Sequence, residues 1–194
     1  MAYDPNRLKQ ESIRSKNLLF HLPDENIISQ ARAYHLRNRS FFKPWNPRVR
    51  NGFYGLEFQT HKMLSENELF LDKRLLKFWL FAAEDKGLQE IIGHIAFSNI
   101  VWGGFRSCFL GYSIDQQYNG RGYATESVAK GLEVVFDTLR LHRIEANIMP
   151  RNLGSIRVAE KLGFECEGAS PKYLRINGIW EDHLHYVVRN RALE

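Results

Sequence analysis

The sequence predicts a mixed α/β fold, and three observations predict it. Residues 76–115 read as three consecutive strands separated by turns. A helix of amphipathic period follows directly on the glycines at 120 and 122. The chain closes on two strands around Asn177–Gly178, a strong hairpin turn. The full order is β, α, α, β, β, β, α, β, α, β, β, with no Gly/Pro/Ser-rich linker, so residues 1–194 are expected to form one domain.

Each element has a local cause. LLFHLP (18–23) is a strand that Pro23 stops, and Asp24 is placed to cap a helix over roughly 25–38. The two prolines of SFFKPWNP exclude an interior helix there. A second helix is expected within 51–68. LKFWLFAAED (76–85) and EIIGHIAFSNIV (90–101) are strands joined by a turn at Lys86–Gly87. RSCFLGYSID (106–115) follows the turn at Trp102–Gly103–Gly104. Over 123–139, Ala124, Val128, Leu132, Val135 and Leu139 recur at steps of three and four, the spacing of one helical face. HRIEANIM (142–149) sets Ile144, Ala146 and Ile148 against Arg143, Glu145 and Asn147, the alternation of a half-buried strand, and Pro150 ends it. A short helix over 153–162 stops at Gly163, and FECEGASPKYLRI and IWEDHLHYVV form the closing hairpin.

Composition narrows the function classes. A chain of 194 residues buries a sizeable core, and none of its apolar runs is long enough to span a membrane. The N-terminal stretch is polar and lacks a signal-peptide core, so a cytoplasmic protein without a membrane partner is expected. Two cysteines, Cys108 and Cys166, make neither a disulfide framework nor a zinc site, and both are expected to be packed thiols. The seven histidines show no metal-ligand spacing, so no metal is expected. No Ser/His/Asp or Cys/His arrangement points to a covalent acyl-enzyme. The net charge of +5 is uneven: the first fifty residues hold ten Lys/Arg against four Asp/Glu, the rest 17 against 18. A basic first third suits a polyanionic neighbour, whether a phosphorylated cofactor, RNA or a ribonucleoprotein surface; it equally suits a solvated helix face.

The stretch QQYNGRGYATES (116–127) carries the chemistry. Glycine before a helix leaves backbone N–H groups bare at the positive end of the dipole, a site for an anion and most often a phosphate. A dinucleotide fingerprint needs a third glycine where Thr125 stands, and the P-loop pattern is absent. Gln117-x-x-Gly120-x-Gly122-x-Ala124, directly after LGYSID, resembles the Q/R-x-x-G-x-G/A signature of the GNAT N-acetyltransferases. FFKPWNP, EIIGHIAFSNIV, HRIEANIMPRN, LGFECEG and YLRINGIWEDH extend the likeness over roughly 17–189 and are similar to the RimJ branch of that family.

The resemblance implies a twisted mixed sheet in which two adjacent parallel strands, 106–115 and 142–149, splay apart and admit acetyl-CoA. It implies pyrophosphate contacts at Gly120, Arg121, Gly122, Tyr123 and Ala124, with Gln117 in the Q/R position. Ser113 and Ile114 would meet the pantetheine through their backbone. Asn152 would cap the short helix and touch the cofactor. Ser155 falls where some relatives of this branch have a serine assigned to protonate the departing thiolate, and the tyrosine slot of other family members is Ala159 here. The slot of a family glutamate base reads Tyr173-Leu174-Arg175; Glu145, which also suits a surface ion pair, Asp182 and His183 are candidate bases, and an α-amine with a pKa near 8 can do without one, water taking the proton. Phe41, Phe42 and Trp45 would line the substrate side. The branch acetylates the α-amine of an N-terminal alanine on a ribosomal protein, so that N-terminus, and a ribosome contact through the basic first third, are the expected partners. A small amine acceptor (a polyamine or an antibiotic) and a non-catalytic CoA-binding or ribosome-associated protein are the alternatives.

Overall fold

The computed structural model describes residues 4–194. Asp4 caps helix α1 (Pro5–Gln10) by accepting from the Asn6 amide at 2.9 Å. Proline opens the helix, where its missing N–H costs nothing. Strand β1 (Ile13–Arg14) pairs with β2 (Leu18–His21). Asp24 caps a 3-10 turn that leads into α2 (Ile28–Arg37). Helix α3 (Arg39–Phe42) is a single turn that ends before Pro44. This corrects the reading of SFFKPWNP. Proline constrains its own φ and the residue before it, which bars continuation but not the turn already formed. Helix α4 (Leu56–Leu71) runs past the expected end at 68.

The meander is β3 (Leu75–Ala82), β4 (Gly93–Val101) and β5 (Ser107–Ile114). Helix α5 (Tyr123–Val134) widens into a turn over Val135–Leu139 that Arg140 closes with φ 55°. Strand β6 (Arg143–Ile148), helix α6 (Leu153–Lys161) and the hairpin of β7 (Glu165–Ile176) and β8 (Ile179–Arg189) complete the chain. Both turn residues have positive φ, Asn177 at 45° and Gly178 at 93°, which matches the twist of the strands they join. The eight strands form one sheet in the order β1-β2-β3-β4-β5-β6-β8-β7, parallel only between β5 and β6.

Register assigns the faces. Phe78, Ile95 and Tyr112 stand in line on one face, Trp79, His94 and Ser113 on the other. Helices α5 and α6 cover the first. A Cβ on Gly131 of α5 would lie 2.8 Å from both Ile95 Cδ1 and Phe97 Cζ, so glycine is what lets that helix sit this close. Helices α2 and α4 cover the second face, where Ala31, Tyr34 and Met63 pack with Trp79 and Phe81. Of the two cysteines only Cys108 is packed, its thiol pushed up to about 12 by burial; Cys166 is exposed, contrary to expectation.

Candidate active site

Strands β5 and β6 pair only through Ser107–Arg143, Cys108–Ile144 and Phe109–Glu145. Beyond that point β5 keeps β4 on one side and has no strand on the other. Between the diverging strands lies a cleft of about 1210 Å³. Leu110 to Ile114 form one side of it, and Ala146 to Met149 the facing side. The 118–125 stretch apart from Arg121, much of α6 with Arg151 before it, parts of the 41–47 segment, and Leu174, Ile176 and His183 of the closing hairpin also line it.

One end of the cleft is backbone. Gly120 (φ 76°) and Gly122 (φ 84°) are left-handed, and a Cβ on either would meet nothing within 4 Å. Gly122 is the N-cap of α5 and offers no side-chain cap, and the first intrahelical bond runs from the Glu126 amide to Gly122 O at 3.0 Å. The amides of Tyr123, Ala124 and Thr125 therefore precede the helical ladder and are open to an anion. Glu126 is the one acid in this first turn. Ser15 Oγ donates to it at 2.7 Å, the Asn17 amide at 2.6 Å and Asn17 Nδ2 at 2.8 Å. Burial pushes its pKa up, but these bonds and the Lys16 charge outweigh that and hold it below the ordinary value.

The loop before the helix is tied down by Asp115, 1% exposed. Asp115 accepts from Arg37 Nε at 2.5 Å, Asn38 Nδ2 at 2.6 Å and the Gln117 amide at 2.9 Å. Gln117 thus serves through its backbone, and it stands off the cleft wall, as does Arg121, whose guanidinium lies 5.2 Å from the Tyr118 ring centroid. Ser113 turns its hydroxyl toward α2, 2.8 Å from Tyr34 Oη and 3.1 Å from His94 Nδ1. Ser113 and Ile114 both line the cleft on the unpaired edge of β5.

Asn152 caps α6 by accepting from the Ser155 amide at 3.2 Å, and both residues line the cleft. Opposite Ser155 stands Tyr112, whose buried hydroxyl has no hydrogen-bond partner. Burial raises its pKa and Ser155 opposes the rise. Ala159 is packed in the core at 4% exposure, so α6 itself carries no tyrosine acid.

The other end is made of side chains. Phe41, Phe42 and Trp45 line it. The Arg151 guanidinium lies 4.8 Å from the Trp45 ring centroid and donates to Pro44 O at 2.7 Å and Glu181 Oε1 at 2.9 Å. The Asn177 amide donates to Asn46 O at 3.0 Å, which ties the hairpin turn to the aromatic segment. Asn147 donates to Tyr173 Oη at 3.4 Å, while its own Oδ1 is buried without a partner. His183 lines the cleft, its Nδ1 3.1 Å from Glu181 O. Glu145, expected to border the cleft, stands off its wall. Its carboxylate lies 2.9 Å from His185 Nδ1 and 3.2 Å from Arg143 Nη2. Asp182 is engaged as well, accepting from the Lys172 amide at 2.8 Å. Strand pairing explains both: Glu145 meets His185 across the β6–β8 pair, and Asp182 faces β7 within the hairpin.

The sequence reading missed Tyr112, Asp115, Asn147 and Arg151. The alternation of β6 already set Asn147 apart on the polar side; nothing local marked Tyr112, and Asp115 and Arg151 are fixed largely by partners 30 to 107 positions away.

A family model described as an acetyltransferase (GNAT) domain matches residues 31–165. The chain belongs to the GNAT acetyltransferase family. It is 36% identical over 183 residues to the probable N-acetyltransferase YjcK of Bacillus subtilis, covering 94% of this chain and 97% of that one. It is 40% identical over 152 residues to the [ribosomal protein uS5]-alanine N-acetyltransferase of Escherichia coli, covering 78% and 76%. The structure of Mycobacterium smegmatis RimJ in complex with CoA-disulfide superposes with a TM-score of 0.84 at 25% identity, covering 91% and 83%. As a GNAT N-acetyltransferase the chain has the site its co-substrate needs: open helix-terminal amides for phosphates, an unpaired strand edge for the amide-rich pantetheine, and two orphaned polar atoms, Tyr112 Oη and Asn147 Oδ1, in the cleft.

Proposed function

We propose that the protein transfers acetyl from acetyl-CoA to the α-amine of a protein N-terminus, an alanine of a ribosomal protein, by direct attack in a ternary complex. One observation carries the choice of acceptor. Glu160, on α6, is the single carboxylate among the residues lining the cleft, against Arg151, Arg157 and Lys161. Polyamines and aminoglycoside-type amines carry several positive charges and need acids around them; this cleft repels them. A lysine at its reference pKa is only about 0.04% neutral at pH 7, so it needs a base, and Glu145 and Asp182 are held elsewhere. An α-amine, with a pKa near 8, is neutral to a useful fraction without help.

Each wall then has its role. Gly120, Gly122, Tyr123 and Ala124 offer amides to the pyrophosphate, with Asn152 beside them. The β5 edge at Ser113 and Ile114 holds the pantetheine, and strand amides polarise the thioester carbonyl. Ser155 faces the departing sulfur. Phe41, Phe42 and Trp45 take the acceptor's first residues. Lys43, Arg48 and Arg50 are exposed beside Trp45 and suit the polyanionic surface of a ribosome. The Escherichia coli relative is named for the same acceptor. The test is mass spectrometry of an alanine-initiated peptide with internal lysines, run against spermidine in parallel. Acetylation chiefly at the N-terminus is expected; lysine or spermidine acetylation with a free N-terminus overturns the reading.

A further inference from the structure

The cleft contains a buried hydroxyl, Tyr112 Oη, that makes no hydrogen bond of ordinary geometry, with Ser155 the one side chain close enough to act on it. Tyr112 lies three residues beyond the last β5–β6 pair, about 10 Å along the strand from the point of divergence. It stands in register with Ile95, on the sheet face that α5 and α6 cover, and both it and Ser155 line the cleft. Its Oη is buried and has no partner among the described residues. A buried unpaired hydroxyl costs free energy that a phenylalanine of the same shape would not, so the hydroxyl suits a polar atom of a bound ligand.

What it can serve follows from its place. The phosphates belong at the far end, at the amides of 122–125, and the strand edge leads back from there toward the divergence of β5 and β6. The groups that reach this depth are the thioester oxygen and sulfur. The oxygen is served by strand amides; the sulfur has no backbone donor on the α6 side. We propose that the Tyr112 hydroxyl is a catalytic hydrogen-bond donor to the sulfur of the departing CoA, with Ser155 positioned beside it to orient that bond.

The step balances without a proton leaving tyrosine. The acceptor nitrogen forms the new C–N bond, the C–S bond breaks, and its electron pair stays on sulfur. The proton that finally neutralises the thiolate is the one the amine nitrogen loses, carried through solvent. A phenol near 10 in water, raised further by burial, is a weaker acid than a thiol near 8.5, so Tyr112 keeps its proton and stabilises the thiolate by donation. The inference rests on the acetyl-CoA chemistry of the family and not on the identity of the acceptor.

The test is Tyr112→Phe, read three ways. With an alanine-initiated peptide, kcat falls at least about tenfold while the acetyl-CoA KM stays within about threefold, the pattern of an interaction made only in the transition state. The thermal midpoint stays level or rises, because the removed hydroxyl was unsatisfied. Titration calorimetry with CoA and with desulfo-CoA isolates the sulfur and needs no acceptor. In the wild type the preference for CoA grows at least about threefold between about pH 7 and pH 9.5, as the thiol ionises. In Tyr112→Phe it stays flat. A wild-type preference that does not grow with pH, or one that grows equally in the variant, overturns the assignment, as does a kcat within twofold of wild type. Failure of the peptide alone, with the calorimetric contrast intact, counts against the acceptor and leaves Tyr112 standing.

Discussion

The two ends of the cleft are built from different materials. The end proposed for the cofactor is main chain: two left-handed glycines, an uncapped helix start and a free strand edge. The end proposed for the acceptor is side chain, an aromatic trio with Arg151 bonded to Pro44 and Glu181 and stacked on Trp45. Backbone amides present the same surface whatever the neighbouring residues are, which suits a ligand that never varies. A braced side-chain surface can be altered residue by residue, which suits a variable acceptor. The ends should therefore fail in opposite ways: the first by adding atoms, the second by removing them.

The largest effect is expected from adding atoms at Gly122. Its φ of 84° strains any other residue, and a valine side chain enters space that is now empty. Gly122→Val should weaken acetyl-CoA binding by roughly 100-fold, about 2.7 kcal/mol, with native circular dichroism; calorimetry reads it, and unchanged affinity breaks the comparison at this end. Next is Asp115→Ala. It leaves Arg37 and Asn38 without their acceptor and frees the loop that aims the amides. Loss of a buried, charge-assisted anchor of this kind should cost about 3 kcal/mol of stability, measured by urea unfolding. Arg151→Ala should be milder. It removes a partly exposed brace, so the peptide KM should rise about three- to tenfold while the acetyl-CoA KM holds; equal rises would merge the two ends into one.

That difference in material also sets what the sequence could reveal. The glycine turn was legible because left-handed positions ahead of a helix leave a short local signature, Gly120 and Gly122 before the period of α5. Strand β6 was legible by alternation, β3 as an apolar run bounded by turns, and the NG turn by its demand for positive φ. The acceptor end was visible only as aromatic content in FFKPWNP. Its geometry comes from segments near 45, 151 and 181 that meet through tertiary contacts, which no local pattern records. Glu145 read as a cleft residue because alternation gives a face without saying which neighbour shares it; His185 and Arg143 share it. Helix α1 drew no expectation, although Asp4-Pro5 is a helix-start signal.

The smallest effect lies on the α2 face of the sheet. His35 and His94 are buried on the α2 face near Lys62 and Lys77. Burial first, and those cations second, push His35 down to about 3 and hold His94 well below its ordinary value. The unfolded chain titrates near 6.5 and binds the protons first, so stability is complete above that pH and is lost as pH falls toward about 3. The thermal midpoint should drop between about pH 6.5 and 4.5, less steeply in His35→Gln; identical slopes would place the acid sensitivity elsewhere.

The most direct test of the division into two ends is Trp45→Ala assayed against both substrates. Truncating an aromatic that touches only the acceptor should raise the KM of an alanine-initiated peptide about tenfold. The acetyl-CoA KM and its calorimetric affinity should stay within twofold. A weakened acetyl-CoA affinity with an unchanged peptide KM would contradict the account, because the aromatic trio would then belong to the cofactor.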